Sequence, residues 1–286
     1  MKYIRLKTGL NADHIQNRMK YNPEIVEFHL VEDDLYQPER IVQSIQLVKS
    51  KGARVYLHHP MTYKGRYLDI ISVNQEMRDH YDWSCKVLAS ICQQEEIKCV
   101  VHCHYQSSES TDYRDSAKRK ETRKRIEEVL TICDDSFLWE DTIRGIFSAE
   151  NPFLLSEIVE PLTLPLNIDI SHSFLSLKGD NGRLQEHLEK FHTFARYFHV
   201  VDSLGVMHDS LPLGKGRINW EMVKPYVKDH DFIFEIDLRS SNHSDCTPMI
   251  ISAHYFNRIG EKNGESSFAG RRCGDQLMRH KKGLHK

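Results

Sequence analysis

Eight short apolar, β-branched runs are spaced through this chain, and each is followed by a stretch whose apolar residues return every three or four positions. The runs are Tyr3 to Lys7, Ile25 to Leu30, Ala53 to His58, Lys98 to Cys103, Phe137 to Glu140, Leu166 to Ile170, Tyr197 to Asp202 and Phe232 to Asp237. Between them, Gln37 to Lys51 places Pro38 at a first helical position, puts Ile41, Ile45 and Val48 on one stripe, and stops at Gly52. Met77, Tyr81, Cys85, Leu88 and Cys92 mark a second stripe. Ile126, Val129 and Ile132 mark a third, behind a basic run from Lys118 to Arg125 that reads as a solvated helix face. Further helices are expected at Asn151 to Val159, Leu184 to Ala195, Trp220 to Val227 and Thr247 to Ile259, the last with Thr247 as its N-cap. Eight strands alternating with helices in 286 residues fit a single α/β domain, a (β/α)₈ TIM barrel, better than an open doubly wound sheet. The barrel is expected over residues 1–263, followed by a mobile basic tail over 264–286.

Composition removes several classes of protein. With 41 acidic and 39 basic residues the net charge is −2, so a uniformly basic nucleic-acid binder is excluded, although a local basic groove is not. No run approaches the ~18 consecutive apolar residues of a membrane span, and MKYIRLKTG lacks an export signal's apolar region, so a cytoplasmic protein is expected. The seven cysteines form no C-x-x-C pair and read as reduced, mostly buried thiols. The phosphate-binding loops G-x-G-x-x-G and G-x-x-x-x-G-K-[ST] are missing.

The 17 histidines are the unusual count, and their positions matter more than their number. From the third run onward, almost every strand ends in a metal-ligand type of side chain: His58 and His59, His102 and His104, Glu140, Asp169 with His172 beyond it, His199 with Asp202, and Glu235. In a parallel barrel these ends share one face, so residues far apart in sequence become one cluster. Imidazole mixed with carboxylate suits a divalent metal such as Zn²⁺ or Mn²⁺, with Co²⁺ or Mg²⁺ as alternatives, and a dication would offset the repulsion between the carboxylates. His58 shares the alternation of Arg54 and Tyr56, so it is the candidate ligand, and His59 is expected to be structural.

Taken in order, LHHP (57–60), VVHCH (100–104), LWED (138–141), IDISH (168–172), HVVD (199–202), LPLGKG (211–216) and FEID (234–237) resemble the xylose isomerase-like TIM-barrel superfamily. That group includes sugar and sugar-phosphate isomerases and epimerases and endonuclease IV, of AP endonuclease family 2. The resemblance implies that Glu140, Asp169, His199 and Glu235 hold the metal common to both branches, with His172 beside it as a substrate contact or a further ligand. It also implies that His58 and His102 fill the extra histidine positions of the endonuclease-like branch. Two departures stand out. His208, Asp209 and Ser210 occupy the place where that branch has Asp, Arg and His, so His208 is the remaining candidate for a third metal position, with Asp209 beside it. The epimerases' Arg, six residues beyond the metal-binding His, is replaced by Gly205.

Two activities follow from the resemblance. One is isomerisation or epimerisation of a sugar, sugar phosphate or related hydroxy-carbonyl compound, with Glu140 and Glu235 moving the proton, His172 assisting, and no organic cofactor. Lys178, Lys215 and Arg217 are candidates there to hold a phosphate or carboxylate. The alternative is a phosphodiesterase acting at abasic sites, for which DNA would be the partner.

Overall fold

A computed structural model describes residues 2–105 and 109–260 of the chain; the tail expected from Gly264 lies outside the described residues. Eight parallel strands close into one barrel in chain order. They are β1 (Arg5–Thr8), β2 (Ile25–His29), β3 (Arg54–His58), β4 (Lys98–Val101), β5 (Phe137–Glu140), β6 (Leu166–Asp169), β7 (Ala195–Val200) and β8 (Asp231–Phe234), with β8 pairing back onto β1 through Leu6 and Phe234. The chain is therefore a single (β/α)₈ barrel. Several strands stop a residue or more before the expected end, so that His102 and Glu235 stand one step beyond their ladders, where the backbone turns into the mouth loops.

Around the barrel lie α1 (Ala12–Met19), α2 (Pro38–Lys49), α3 (Gln75–Glu95), α4 (Ser116–Cys133), α5 (Ile170–Ser176), α6 (Asn181–Phe191), α7 (Trp220–Val227) and α8 (Thr247–Arg258). Each apolar stripe faces the barrel. Ile41, Ile45 and Val48 of α2 are fully covered, as are Tyr81 and Leu88 of α3. The expected helix at Asn151 to Val159 is instead a π-turn at Leu155–Val159 running into one α-turn at Glu160–Leu162. In α4 the buried stripe is Ile126, Val129 and Cys133, while Ile132 is 44% exposed, because one further step along the helix carries the side chain off the barrel-facing side. The basic run is not wholly solvated either. Arg119 is buried, donating to both carboxylate oxygens of Glu157 and to the carbonyls of Tyr113 and Arg114, and Arg125 donates to Asp82 and to the carbonyl of Ile70. Thr247 is not the cap of α8. Cys246 takes that position, and Asp245 accepts the Thr247 amide and hydroxyl.

Alternation along the strands fills the barrel in layers. Ile25, Tyr56, Val100, Leu138, Tyr197 and Ile233 form a largely apolar plug inside it, with the buried Asn167, two residues before Asp169, at the same level. Below the plug, Asp231 ties Arg54 (2.7 Å) to Tyr56 (2.7 Å) and seals the bottom. Side chains two residues further along each strand stand on top of the plug, at the carboxyl ends, and all of them are polar: Lys7, Glu27, His58, His102, Glu140, Asp169, His199 and Glu235. The described cysteines are free and buried, as expected. None of the described helices is long and apolar enough to cross a membrane.

Candidate metal centre

Glu140 is the hub. One of its oxygens, Oε2, lies 3.2 Å from His58 Nε2 and 3.0 Å from His102 Nε2; the other, Oε1, lies 3.2 Å from His199 Nδ1 and 3.5 Å from His172 Nδ1. His199 Nδ1 is also 2.5 Å from Glu235 Oε2 and 3.8 Å from Asp169 Oδ2. Two groups result, each with ligand atoms within 4.8 Å of one another: His58, His102 and Glu140, and Glu140, Asp169, His199 and Glu235. Six of the eight sequence-derived metal candidates thus fall into these two groups, which share Glu140, and all but Glu235 are buried.

Local structure explains how each side chain is presented. Asp169 ends β6 and also caps α5, its Oδ1 accepting the His172 amide at 2.8 Å. The D-x-x-H spacing is therefore one device, in which the carboxylate that starts the helix also sets the histidine at the rim. Asp141 braces it, accepting the Asp169 amide (2.7 Å) and the Ser173 hydroxyl (2.7 Å), while its carbonyl meets His172 Nδ1 at 2.9 Å. His172 and His208 stand outside both ligand groups. Their rings meet edge-on at 4.9 Å, with His208 on the exposed loop after β7. Lys178, Lys215 and Arg217 are exposed on the loops.

Two histidines of the motifs serve the fold. His59 is turned out of the barrel against Pro60 O and Ser84 Oγ, both at 2.8 Å, and burial pulls it down to about 3. His104 Nε2 accepts the Phe147 amide at 3.0 Å, and burial pulls it to about 4. Asp202 organises the loop behind the site, accepting from the amides of Ser203, Gly214, Gly216 and Ile218. A Cβ on Gly216 would run into the Asp202 carboxylate, so the L-G-x-G turn needs that glycine. Gly205 has φ +78°, and a Cβ there would come within 2.7 Å of Gly179 Cα, so this chain leaves no room for a long side chain at that position.

Three residues of the site were not found from the sequence. Lys7 on β1 pairs with Glu235 and lies 4.0 Å from Glu27, and Glu27 on β2 lies 3.0 Å from His199 Nε2. His29, at the end of β2, has its ring 5.0 Å from that of His58 and its Nδ1 buried without a hydrogen-bond partner. The signal was present in the alternation Glu27, His29 within an apolar strand, but a lone charged residue in a strand normally marks a wet face.

The electrostatics fit a cation. Burial, then the charges of Glu235 and Glu140, push the Asp169 carboxyl up to about 7. Burial opposes charge on His199, yet Glu140, Glu27 and Glu235 outweigh it and hold the imidazole well above its ordinary value. Glu140 and Glu235 are driven well below theirs despite burial, Glu140 by His102 and His199, Glu235 by Lys7 and His199. Burial lowers His102 and His172. Asp169 Oδ2 is buried and makes no hydrogen bond, an orphaned oxygen aimed into the four-residue group. A mixed imidazole and carboxylate donor set gathered in this way fits a divalent cation.

Structural comparison agrees with this architecture. A D-tagatose 3-epimerase-like protein superposes with a TM-score of 0.71 at 18% identity, covering 91% of this chain and 97% of its own. The likeness is one of fold, a closed (β/α)₈ barrel shared over most of both chains. A xylose isomerase domain protein from Planctomyces limnophilus shares this barrel at a TM-score of 0.68 and 15% identity (91% and 98% covered). D-psicose 3-epimerase from Clostridium cellulolyticum H10, solved with D-tagatose, shares it at 0.67 and 11% (91% and 99% covered). No protein-family model and no curated protein matches the sequence.

Proposed function

We propose that the protein is a divalent-metal-dependent isomerase or epimerase acting on a sugar, a sugar phosphate or a related hydroxy-carbonyl compound. The observation that carries this reading is the four-residue group Glu140, Asp169, His199 and Glu235 at the mouth of a barrel shared with ketose epimerases. A dication bound there would polarise neighbouring carbonyl and hydroxyl oxygens and acidify the C–H between them. The chain's own residues do the rest. Glu140 and Glu235 belong to strands separated by β6 and β7, so they approach a substrate over the mouth from two sides and can remove and return a proton on different faces. His172, held by Asp141 at the rim, would hydrogen-bond a substrate hydroxyl. The largely apolar plug beneath gives the mouth a floor of low polarity, which strengthens charge interactions above it.

The test is solvent exchange. The metal-loaded protein is incubated in D₂O with a panel of ketoses and ketose phosphates, and deuterium is sought at the carbon next to the carbonyl. Incorporation that disappears in E140Q and E235Q supports the reading; a panel without exchange in the loaded protein rejects it. A second reading rests on the His58, His102 and Glu140 group, which shares Glu140 with the first and could seat a second dication, as two-metal phosphodiester hydrolysis requires. Two tightly held metal ions per chain, together with cleavage of abasic-site DNA, would favour this alternative.

A further inference from the structure

Four charged side chains on four neighbouring strands form a closed ring beside the candidate metal centre. His199 on β7 faces Glu235 Oε2 with Nδ1 (2.5 Å) and Glu27 Oε2 with Nε2 (3.0 Å). Lys7 on β1 contacts the other oxygen of Glu235, Oε1, and lies 4.0 Å from the other oxygen of Glu27, also Oε1. The strand register supports the ring, since Lys7 sits directly across from Glu27 in the β1–β2 ladder. Lys7 is held deep, with 14% of its side chain exposed, and Glu27 is fully covered. Burying an ammonium and a carboxylate costs stability wherever an apolar pair would fill the space, so this pair calls for a role.

We propose that Lys7 and Glu27 are positioning residues for the metal centre, an inference that rests on the metal-dependent reading above. A carboxylate can grip a cation with one oxygen or two, and it can rotate away altogether. With Oε1 held by Lys7, Glu235 presents Oε2 alone, on the side where His199, Asp169 and Glu140 converge. Glu27 performs the matching task for the histidine. By accepting the Nε2 hydrogen it fixes the tautomer that leaves the Nδ1 lone pair directed at the same point. Lys7 and Glu27 thus determine which atom each of two ligands offers, without themselves touching the cation.

Co²⁺ is the probe, because its visible d–d bands report coordination number and geometry in addition to affinity. The full-length protein, K7M, K7R and E27Q are stripped with chelator, checked for fold by far-ultraviolet circular dichroism, and titrated with Co²⁺. K7M and E27Q are expected to weaken binding by about 10 to 100-fold, the range for groups that orient metal ligands, and to change the band pattern, with K7R recovering much of both. The sign is informative for K7M. If Lys7 acted only as a nearby positive charge, its removal would tighten binding. Equal or tighter binding of Co²⁺ by K7M with unchanged bands overturns the proposal while leaving the metal-dependent reading intact. Absence of Co²⁺ binding by the unmodified protein overturns both. Should K7M fail to fold, the band pattern of E27Q decides: loss of a negative charge alone weakens binding and leaves the bands unchanged, and unchanged bands would overturn the proposal.

Discussion

Loading the centre with a divalent ion should release protons, and more of them in mild acid than in mild base. Asp169 carries the pH dependence. Its carboxyl is pushed up to about 7 by burial and by the facing charges of Glu235 and Glu140, partly offset by His199. With that value, ~90% of chains hold the Asp169 proton at pH 6 and ~10% at pH 8. The ion also needs the Nδ1 lone pair of His199, whose imidazole stays charged well above its ordinary range under Glu140, Glu27 and Glu235. Binding should therefore expel close to one more proton from Asp169 at pH 6 than at pH 8, where its carboxyl is already largely ionised. The Asp169 proton alone should weaken apparent affinity about tenfold at pH 6 relative to the plateau above pH 8, or ~1.4 kcal/mol. Isothermal titration of Zn²⁺ or Mn²⁺ in buffers of different ionisation enthalpy measures the proton count directly. A count that stays flat between pH 6 and pH 8 while the ion binds would refute the argument. Stability gives an independent check. Both groups have folded-state values raised above their ordinary ones, so each stabilises the unloaded fold at low pH. That stabilisation is lost as pH rises, from 3.8 to about 7 for Asp169 and from 6.5 upward for His199. Between pH 5 and pH 8 the lowered values of His59, His102, His104 and His172 act in the opposite direction, so the check is D169N, whose melting temperature should fall less, or rise more, with pH than that of the unaltered protein.

The remaining expectations concern single residues. E140Q and E235Q should abolish turnover, a loss of at least about 10³-fold, while circular dichroism and elution volume stay unchanged; full activity in either removes the metal-centred mechanism. If a second metal equivalent is present, as the alternative reading requires, H58A and H102A should each remove it in elemental analysis and leave the first, because both histidines belong to one ligand group and Glu140 to both. Equal loss of all metal would mean that the two groups are not separable. D202N should lower the melting temperature by roughly 5 to 10 °C, since the amides of Ser203, Gly214, Gly216 and Ile218 lose a charged acceptor. G216A should do at least as much, because its methyl group enters the space of that carboxylate, and an unchanged melting curve in either variant would contradict the role given to Asp202.

The alternation of apolar runs with helical stripes is a local property of the chain, and it was enough to reveal the barrel, its eight strands and the face on which their carboxyl ends gather. The polar strand ends from His58 to Glu235 were legible for the same reason, since each interrupts an apolar run toward its carboxyl end. Helix details were less so. Ile132 and Arg119 exchanged their expected surroundings because a small error in helix phase moves a side chain from core to solvent or back. Lys7, Glu27 and His29 carry the opposite lesson. A charge within a short strand looks the same in sequence whether it faces water or the inside of a barrel, and only closure of β8 onto β1 encloses the first two strands with the rest. Likewise, no spacing shows that Glu140 would lie between two ligand groups, that Asp141 would brace Asp169, or that His172 and His208 would sit outside both. Those outcomes depend on distances between residues on different strands, set by how the barrel packs. The sequence alone determined which chemical groups reach the mouth; the tertiary structure decided which atoms of those groups face one another.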